Sequence, residues 1–249
     1  MPRLWVLSDL HYECDPTGRR RRFDPPEFDI LVNAGDTYEA RPLECVERTA
    51  RLADGRPAIL VLGNHDLYGV PMGRAIGMAR EAGARLGVHV LQGNVAEVEG
   101  LRFCGGTLWD RPLEVAGRAK RPDLVSIMSG DTPAFFAPHE FAPYAEPILA
   151  EREDGSHRPL TNIDIENVHV RTIEAIQASD ADVVVTHYPP SDGEVAKAGK
   201  ASLWVHGHIH AFERRHVGNT EVVLNAGQSR VFADRLVVEA AAATVPTPR

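Results

Sequence analysis

Short runs of consecutive apolar residues recur along the chain, and most of them end abruptly at a polar or small residue. They are LWVL at 4–7, ILV at 30–32, AILVL at 58–62, the VVV of DVVVT at 182–186 and the LWV of SLWVH at 202–206. Apolar runs this short, rich in β-branched residues, suit strands covered on both faces. The wider pattern predicts strands over 3–8, 30–34, 58–62, 88–91, 95–98, 101–104, 182–186, 202–206, 212–217, 221–225 and 235–239. Helical spacing predicts helices over 41–53 and 73–86, each with a glycine (Gly55, Gly87) just beyond its end. A third helix is predicted over 163–178, where Ile165, Val168, Thr172 and Ile176 repeat at helical spacing. Strand and helix alternate in the first half and strand dominates the last third, which predicts an α/β fold of two packed sheets flanked by helices.

Residues 106–161 interrupt this rhythm with seven prolines, several aromatics and the polar run EREDGSHRP. A stretch this long inside a compact domain is usually a functional lid or a linker. Phe135, Phe136, Phe141 and Tyr144 favour folding against the body, so a small, mostly helical cap is expected within a single domain covering 1–249. The tail AAAATVPTPR is expected to fray.

Composition narrows the setting. The chain has 249 residues, 43 % of them apolar, enough for one sizeable core. No apolar run approaches the roughly 20 residues that span a bilayer, and LWVLSDLH carries no signal-peptide architecture, so no membrane partner and a cytoplasmic location are expected. Three cysteines, Cys14, Cys45 and Cys104, make an odd count that does not suggest a disulfide framework. Cys45 and Cys104 read as small core residues. A net charge of −8 argues against a nucleic-acid partner. It leaves a phosphate-bearing small molecule open, because bound divalent cations would reverse the local field.

The ends of the apolar runs carry the chemistry. Asp9-Leu10-His11, Gly35-Asp36, Gly63-Asn64-His65-Asp66, Thr186-His187 and Gly207-His208-Ile209-His210 each follow a strand. In an open α/β sheet, the loops leaving the carboxyl ends of strands form the ligand crevice. Taken singly, an Asp-x-His or a Gly-Asn-His-Asp is usually turn chemistry; five in succession point to one site for two metal ions. Asp9 and His11 can face one cation only if the chain leaves the extended state there. Gly35 allows a tight turn before Asp36, whose two carboxylate oxygens suit a bridge between cations. Asn64 offers a neutral oxygen. His187, His208 and His210 add imidazole nitrogens that favour manganese, iron, zinc or nickel over magnesium or calcium. His206 is expected to point away from His208 and to be structural.

Read together, the five motifs resemble the calcineurin-like metallophosphoesterases from residue 4 to about 227, and Thr107–Asp110 resembles bacterial members that carry an insert. The resemblance implies a four-layer α/β/β/α sandwich of two mixed sheets. It also implies two divalent transition-metal ions, with manganese as the first expectation. Asp9, His11, Asp36 and His210 would hold one, and Asp36, Asn64, His187 and His208 the other. A hydroxide bridging the pair would attack phosphorus, and His65 would protonate the leaving oxygen. Asp66 would orient His65 by accepting its other N–H. The protein phosphatases of this family continue the second motif with Asp-Arg-Gly and end the third in Glu. Here the chain reads Thr37-Tyr38-Glu39 and ends the third motif in Asp66, so a phosphate-clamping arginine is missing and a phosphodiesterase acting on a small or nucleotide-like ester is expected. The alternative is a phosphomonoesterase or nucleotide pyrophosphohydrolase; a non-enzymatic scaffold is disfavoured because every ligand position is filled. Glu13 can support the first motif or lie solvated, Tyr188 with Pro189 and Pro190 can wall the pocket, and Arg19–Arg22 can bind a second phosphate or lie solvated.

Overall fold

The computed structural model describes residues 1–14, 24–112, 143–227 and 235–242. Arg19–Arg22, Phe135, Phe136, Phe141 and residues 243–249 of the C-terminal tail lie outside these residues.

Two mixed sheets form the centre. The first has the order β13 (Val237–Glu239), β1 (Arg3–Leu7), β2 (Ile30–Asn33), β3 (Ala58–Val61) and β4 (Val88–Leu91). Its strands are parallel except β13, which runs antiparallel to β1. The second has the order β11 (Phe212–Val217), β12 (Thr220–Asn225), β10 (Leu203–His206), β9 (Val183–Thr186), β6 (Leu101–Gly106) and β5 (Val95–Val98). There β12, β10, β9 and β6 are parallel and the two outer pairs antiparallel.

Side chains alternate along each central strand between two cores. Val6, Ile30, Val32, Ile59 and Val61 of the first sheet meet Phe103, Val183, Val185, Val205 and Val223 of the second in one apolar layer. The opposite faces are covered by helices. Trp5, Leu7, Leu31 and Leu60 share a cluster with Cys45 and Val46 of α1 (Pro42–Ala53) and Ala75 and Ala79 of α2 (Met72–Leu86). Cys104, Val184, Trp204 and Val222 share it with Ile165 and Ile176 of α3 (Asn162–Ala178). The layers are therefore helix, sheet, sheet, helix, because strands apolar on both faces need cover on both. Helix α3 begins at a capping box, Thr161 and Asp164 satisfying each other's backbone N–H groups.

The expected helical insert meets a different structure in its described part. Leu149–Glu151 (β7) pairs antiparallel with His157–Pro159 (β8). The preceding segment runs beside the third motif, with the Gly69 N–H donating to the Pro147 carbonyl at 2.9 Å and a bridge between Pro71 and Leu149. Residues 113–142, where the rest of the expected cap falls, lie outside the described residues. Short α4 (Asp192–Val195) follows the fourth motif.

No helix among the described residues is long and apolar enough to cross a membrane.

Candidate metal centre

All five motifs meet at the carboxyl ends of β1, β2, β3, β9 and β10. The chain leaves the extended state as soon as each of the first two strands ends. Asp9, His11 and Asp36 have φ of 50°, 43° and 53°, and His208 has 68°. Four non-glycine residues in the left-handed region cost on the order of 1 kcal/mol or more each and persist where the surroundings hold them. Here they are held by hydrogen bonds between loops: Asp9 N–H donates to the Gly35 carbonyl at 2.8 Å and His11 N–H to the Asp36 carbonyl at 3.0 Å. Two glycines let the loops approach. A Cβ on Gly35, whose φ is 96°, would lie 2.6 Å from Gly63 N, and one on Gly63 would lie 2.1 Å from Asp36 Oδ1.

The donor atoms fall into groups. Asp9, His11 and His210 form one, and Asp36, His187 and His208 form another. Asp36 also groups with His11 and His65, so it stands between the two. Its Oδ2 lies 3.2 Å from His187 Nε2 and 3.7 Å from His11 Nε2, while Oδ1 accepts the His65 backbone N–H at 2.9 Å. His187 donates from Nδ1 to the Ala34 carbonyl at 2.8 Å, which turns Nε2 inward. That Nε2 is 2.9 Å from Asn64 Oδ1, and His208 Nδ1 is 3.3 Å from the same oxygen. On the other side His210 Nε2 is 3.7 Å from Asp9 Oδ1, and the His208 backbone N–H donates to both Asp9 oxygens at 2.9 and 3.1 Å. His11 places Nδ1 on Glu13 at 2.6 Å and leaves Nε2 buried without a hydrogen-bond partner.

Lone-pair atoms converging on a buried point need a cation or a proton among them. The electrostatics of the cluster express that need. Burial works against a charged His187, yet the Asp36 carboxylate raises it to about 10. Burial likewise opposes ionised Asp36, and His187 outweighs it, holding the carboxyl at about 2. His208 falls to about 4 through burial and the neighbouring His187. Carboxylates, an amide oxygen and imidazoles, with a buried unpartnered nitrogen among them, fit divalent transition metals.

Every sequence-derived site residue reaches this cluster, but one has a different task. Asp66 does not orient His65. Its Oδ2 accepts from the Asp36 and Gly63 N–H groups at 2.9 and 2.8 Å, its Oδ1 from those of Thr37 and Tyr38 at 2.9 and 3.0 Å, and the Cys45 thiol donates to Oδ1 at 2.9 Å. It ties the second motif to the third. His65 Nδ1 is left buried with no partner. The reason is local: His65–Leu67 is one turn of 3₁₀ helix, in which neighbouring side chains diverge by about 120°. Asp66→Asn should therefore remove an acceptor from two buried N–H groups and lower stability by roughly 2–5 kcal/mol. Denaturant unfolding of the metal-free protein checks this, and a loss below about 0.5 kcal/mol would contradict the clamp role.

His65 itself stands at the edge of the cluster, edge-on to His11 at 4.7 Å and tilted against Tyr68 at 4.5 Å. Glu13, Glu39 and His65 bring donor atoms within 4.8 Å of one another. The Tyr188 ring stacks on His208 at 3.9 Å, so it does wall the site, while His206 is buried and bonds locally to Gly207. Sequence reading missed Tyr68, which accepts from Asn64, and Glu146, which accepts from Tyr188. Tyr68 sits two positions beyond the third motif; Glu146 lies in the insert, where no pattern marks it.

The sequence matches the family model described as calcineurin-like phosphoesterase over residues 2–212. The chain belongs to the calcineurin-like phosphoesterases. It is thus a phosphoric ester hydrolase of a metal-dependent family. Its fold resembles that of phosphopantetheinyl hydrolase from Mycobacterium tuberculosis, at 18 % identity and a TM-score of 0.54, over 90 % of this chain and 89 % of that one. A predicted phosphoesterase from Streptococcus pneumoniae aligns at 13 % identity and a TM-score of 0.31, over 92 % of this chain and 74 % of that one. No curated protein matches the sequence.

Proposed function

We propose that this phosphoesterase holds two divalent cations, manganese first among them, and hydrolyses a small or nucleotide-like phosphodiester. The observation that carries the reading is the buried Asp36 carboxylate standing between two groups of donors. Asp9, His11, Asp36 and His210 would hold one ion, and Asp36, Asn64, His187 and His208 the other. A bound pair would supply charge neutralisation and the acidification of a water molecule.

The chain's own residues do the rest. His187 is held by Ala34, and Asp9 by the His208 N–H, so little reorganisation is needed on binding. His65, spared any bond at Nδ1, gives its imidazole proton to the leaving oxygen. The acidic residues beside it bear on substrate class. Glu13 and Glu39 add negative charge near His65, which repels a monoester dianion more than a diester monoanion. The second motif also supplies no arginine to offset them.

A purified, manganese-loaded sample tested on matched aryl monoesters and aryl diesters, cyclic nucleotides and dinucleotides tests the proposal. The expected result is a higher kcat/KM on diesters, abolished by chelation and restored by manganese. Faster turnover of monoesters or pyrophosphates would replace the diesterase reading with a phosphomonoesterase or pyrophosphohydrolase.

A further inference from the structure

Glu146 reaches the edge of the metal centre from the returning segment of the insert. Its Oε1 accepts the Tyr188 hydroxyl at 3.0 Å, and its Oε2 is buried with no protein partner. Asn64 Nδ2 donates to the Tyr68 hydroxyl oxygen at 2.9 Å. The Tyr68 hydroxyl thereby claims the NH2 end of the amide. Across the amide, Asn64 Oδ1 faces His187 Nε2 and His208 Nδ1. Tyr188, the tyrosine that donates to Glu146, lies flat on the His208 ring with 22° between planes. Both tyrosines therefore touch donors of the group that contains Asn64 and His208.

This arrangement answers a problem inherent in an amide ligand. The two ends of an amide are nearly alike in shape, and a half-turn would aim N–H groups at a cation instead of the oxygen. Claiming the NH2 end prevents that turn. The position of Glu146 is itself fixed, because the next residue, Pro147, accepts from the N–H of Gly69, three residues past the third motif.

We propose that Glu146 is a positioning residue for the second cation: through the Tyr188 hydroxyl it holds the ring that lies on His208, beside the Asn64 amide that Tyr68 keeps turned. The insert is thereby coupled to one half of the metal centre. The inference rests on the proposed assignment of Asn64, His187 and His208 to a second ion.

Calorimetric titration of manganese into the metal-free, full-length protein tests it. Wild type should bind two ions, and His208→Ala identifies which binding step belongs to the second set. Partners that orient ligating groups typically change affinity about 10–100-fold. Glu146→Ala should weaken that same step by about this factor and leave the other step close to wild type. Tyr188→Phe, which keeps the ring and removes only the hydroxyl bonded to Glu146, should weaken the same step even if Glu146→Ala folds poorly. Both steps unchanged in the two variants, with or without a lower Tm, would overturn the proposal and leave Glu146 an anchor of the insert. Equal weakening of both steps would overturn it too. A wild type that binds one ion would remove the two-cation reading and this inference together, whereas two ions with an unmoved second step would remove the inference alone.

Discussion

Asp36→Asn should strip the protein of most of its bound metal and most of its activity. The substitution keeps the shape of the side chain and removes its charge, so the outcome turns on where the new NH2 would sit. Placed at Oδ2, it would point N–H groups at the donor cluster, 3.2 Å from His187 Nε2 and 3.7 Å from His11 Nε2. Placed at Oδ1, it would face the His65 backbone N–H, which now donates there at 2.9 Å. The first sets donors against the cluster, the second sets donor against donor, and neither restores the lost charge. The loss reaches both donor groups because Asp36 belongs to neither alone. Metal analysis of the purified variant checks this: one ion or none per chain is expected, and two ions with near-normal turnover would exclude Asp36 as the shared ligand.

His65→Ala should behave in the opposite way, keeping its metal and losing its rate. No donor group needs the His65 side chain to close the two main clusters, and its backbone N–H to Asp36 survives the substitution. Loss of a general acid typically lowers kcat by roughly 10²–10⁴. The loss should shrink as the leaving group becomes more acidic, since a nitrophenolate departs without needing a proton. Kinetics on a series of aryl esters read out that slope. An equal loss across the series would place His65 outside the acid role.

Much of the fold was legible because its strands are covered on both faces. Continuous runs such as Ala58–Val61 and Val183–Thr186 leave no solvent-facing alternation, and the glycines or polar ends that follow them mark where the chain turns into the site. The three long helices were legible for the complementary reason, a 3.6-residue repeat ending at a left-handed residue in two of them, Asp54 and Gly87. The hairpin of β7 and β8 was not, because LAE and HRP are too short and too polar to show a period. Within the site, residue types announced the donors, but sequence neighbours misled about partnership. Asp66 follows His65 directly and reads as its orienting carboxylate. The 3₁₀ turn sends it the other way, onto four backbone N–H groups. Glu146 was invisible for a different reason: its proposed role depends on a hydrogen bond across 42 positions of chain with Tyr188, which no local pattern encodes.

The central claim is that one buried carboxylate serves two cations. Anomalous diffraction from crystals of manganese-loaded protein, collected on both sides of the metal's absorption edge, tests it most directly. Two peaks are expected, one on each side of the Asp36 carboxylate. One should lie within reach of Asp9, His11 and His210, and the other within reach of Asn64, His187 and His208. A single peak, or a second peak held by Glu13 and Glu39 instead of Asn64 and the histidines, would contradict the claim.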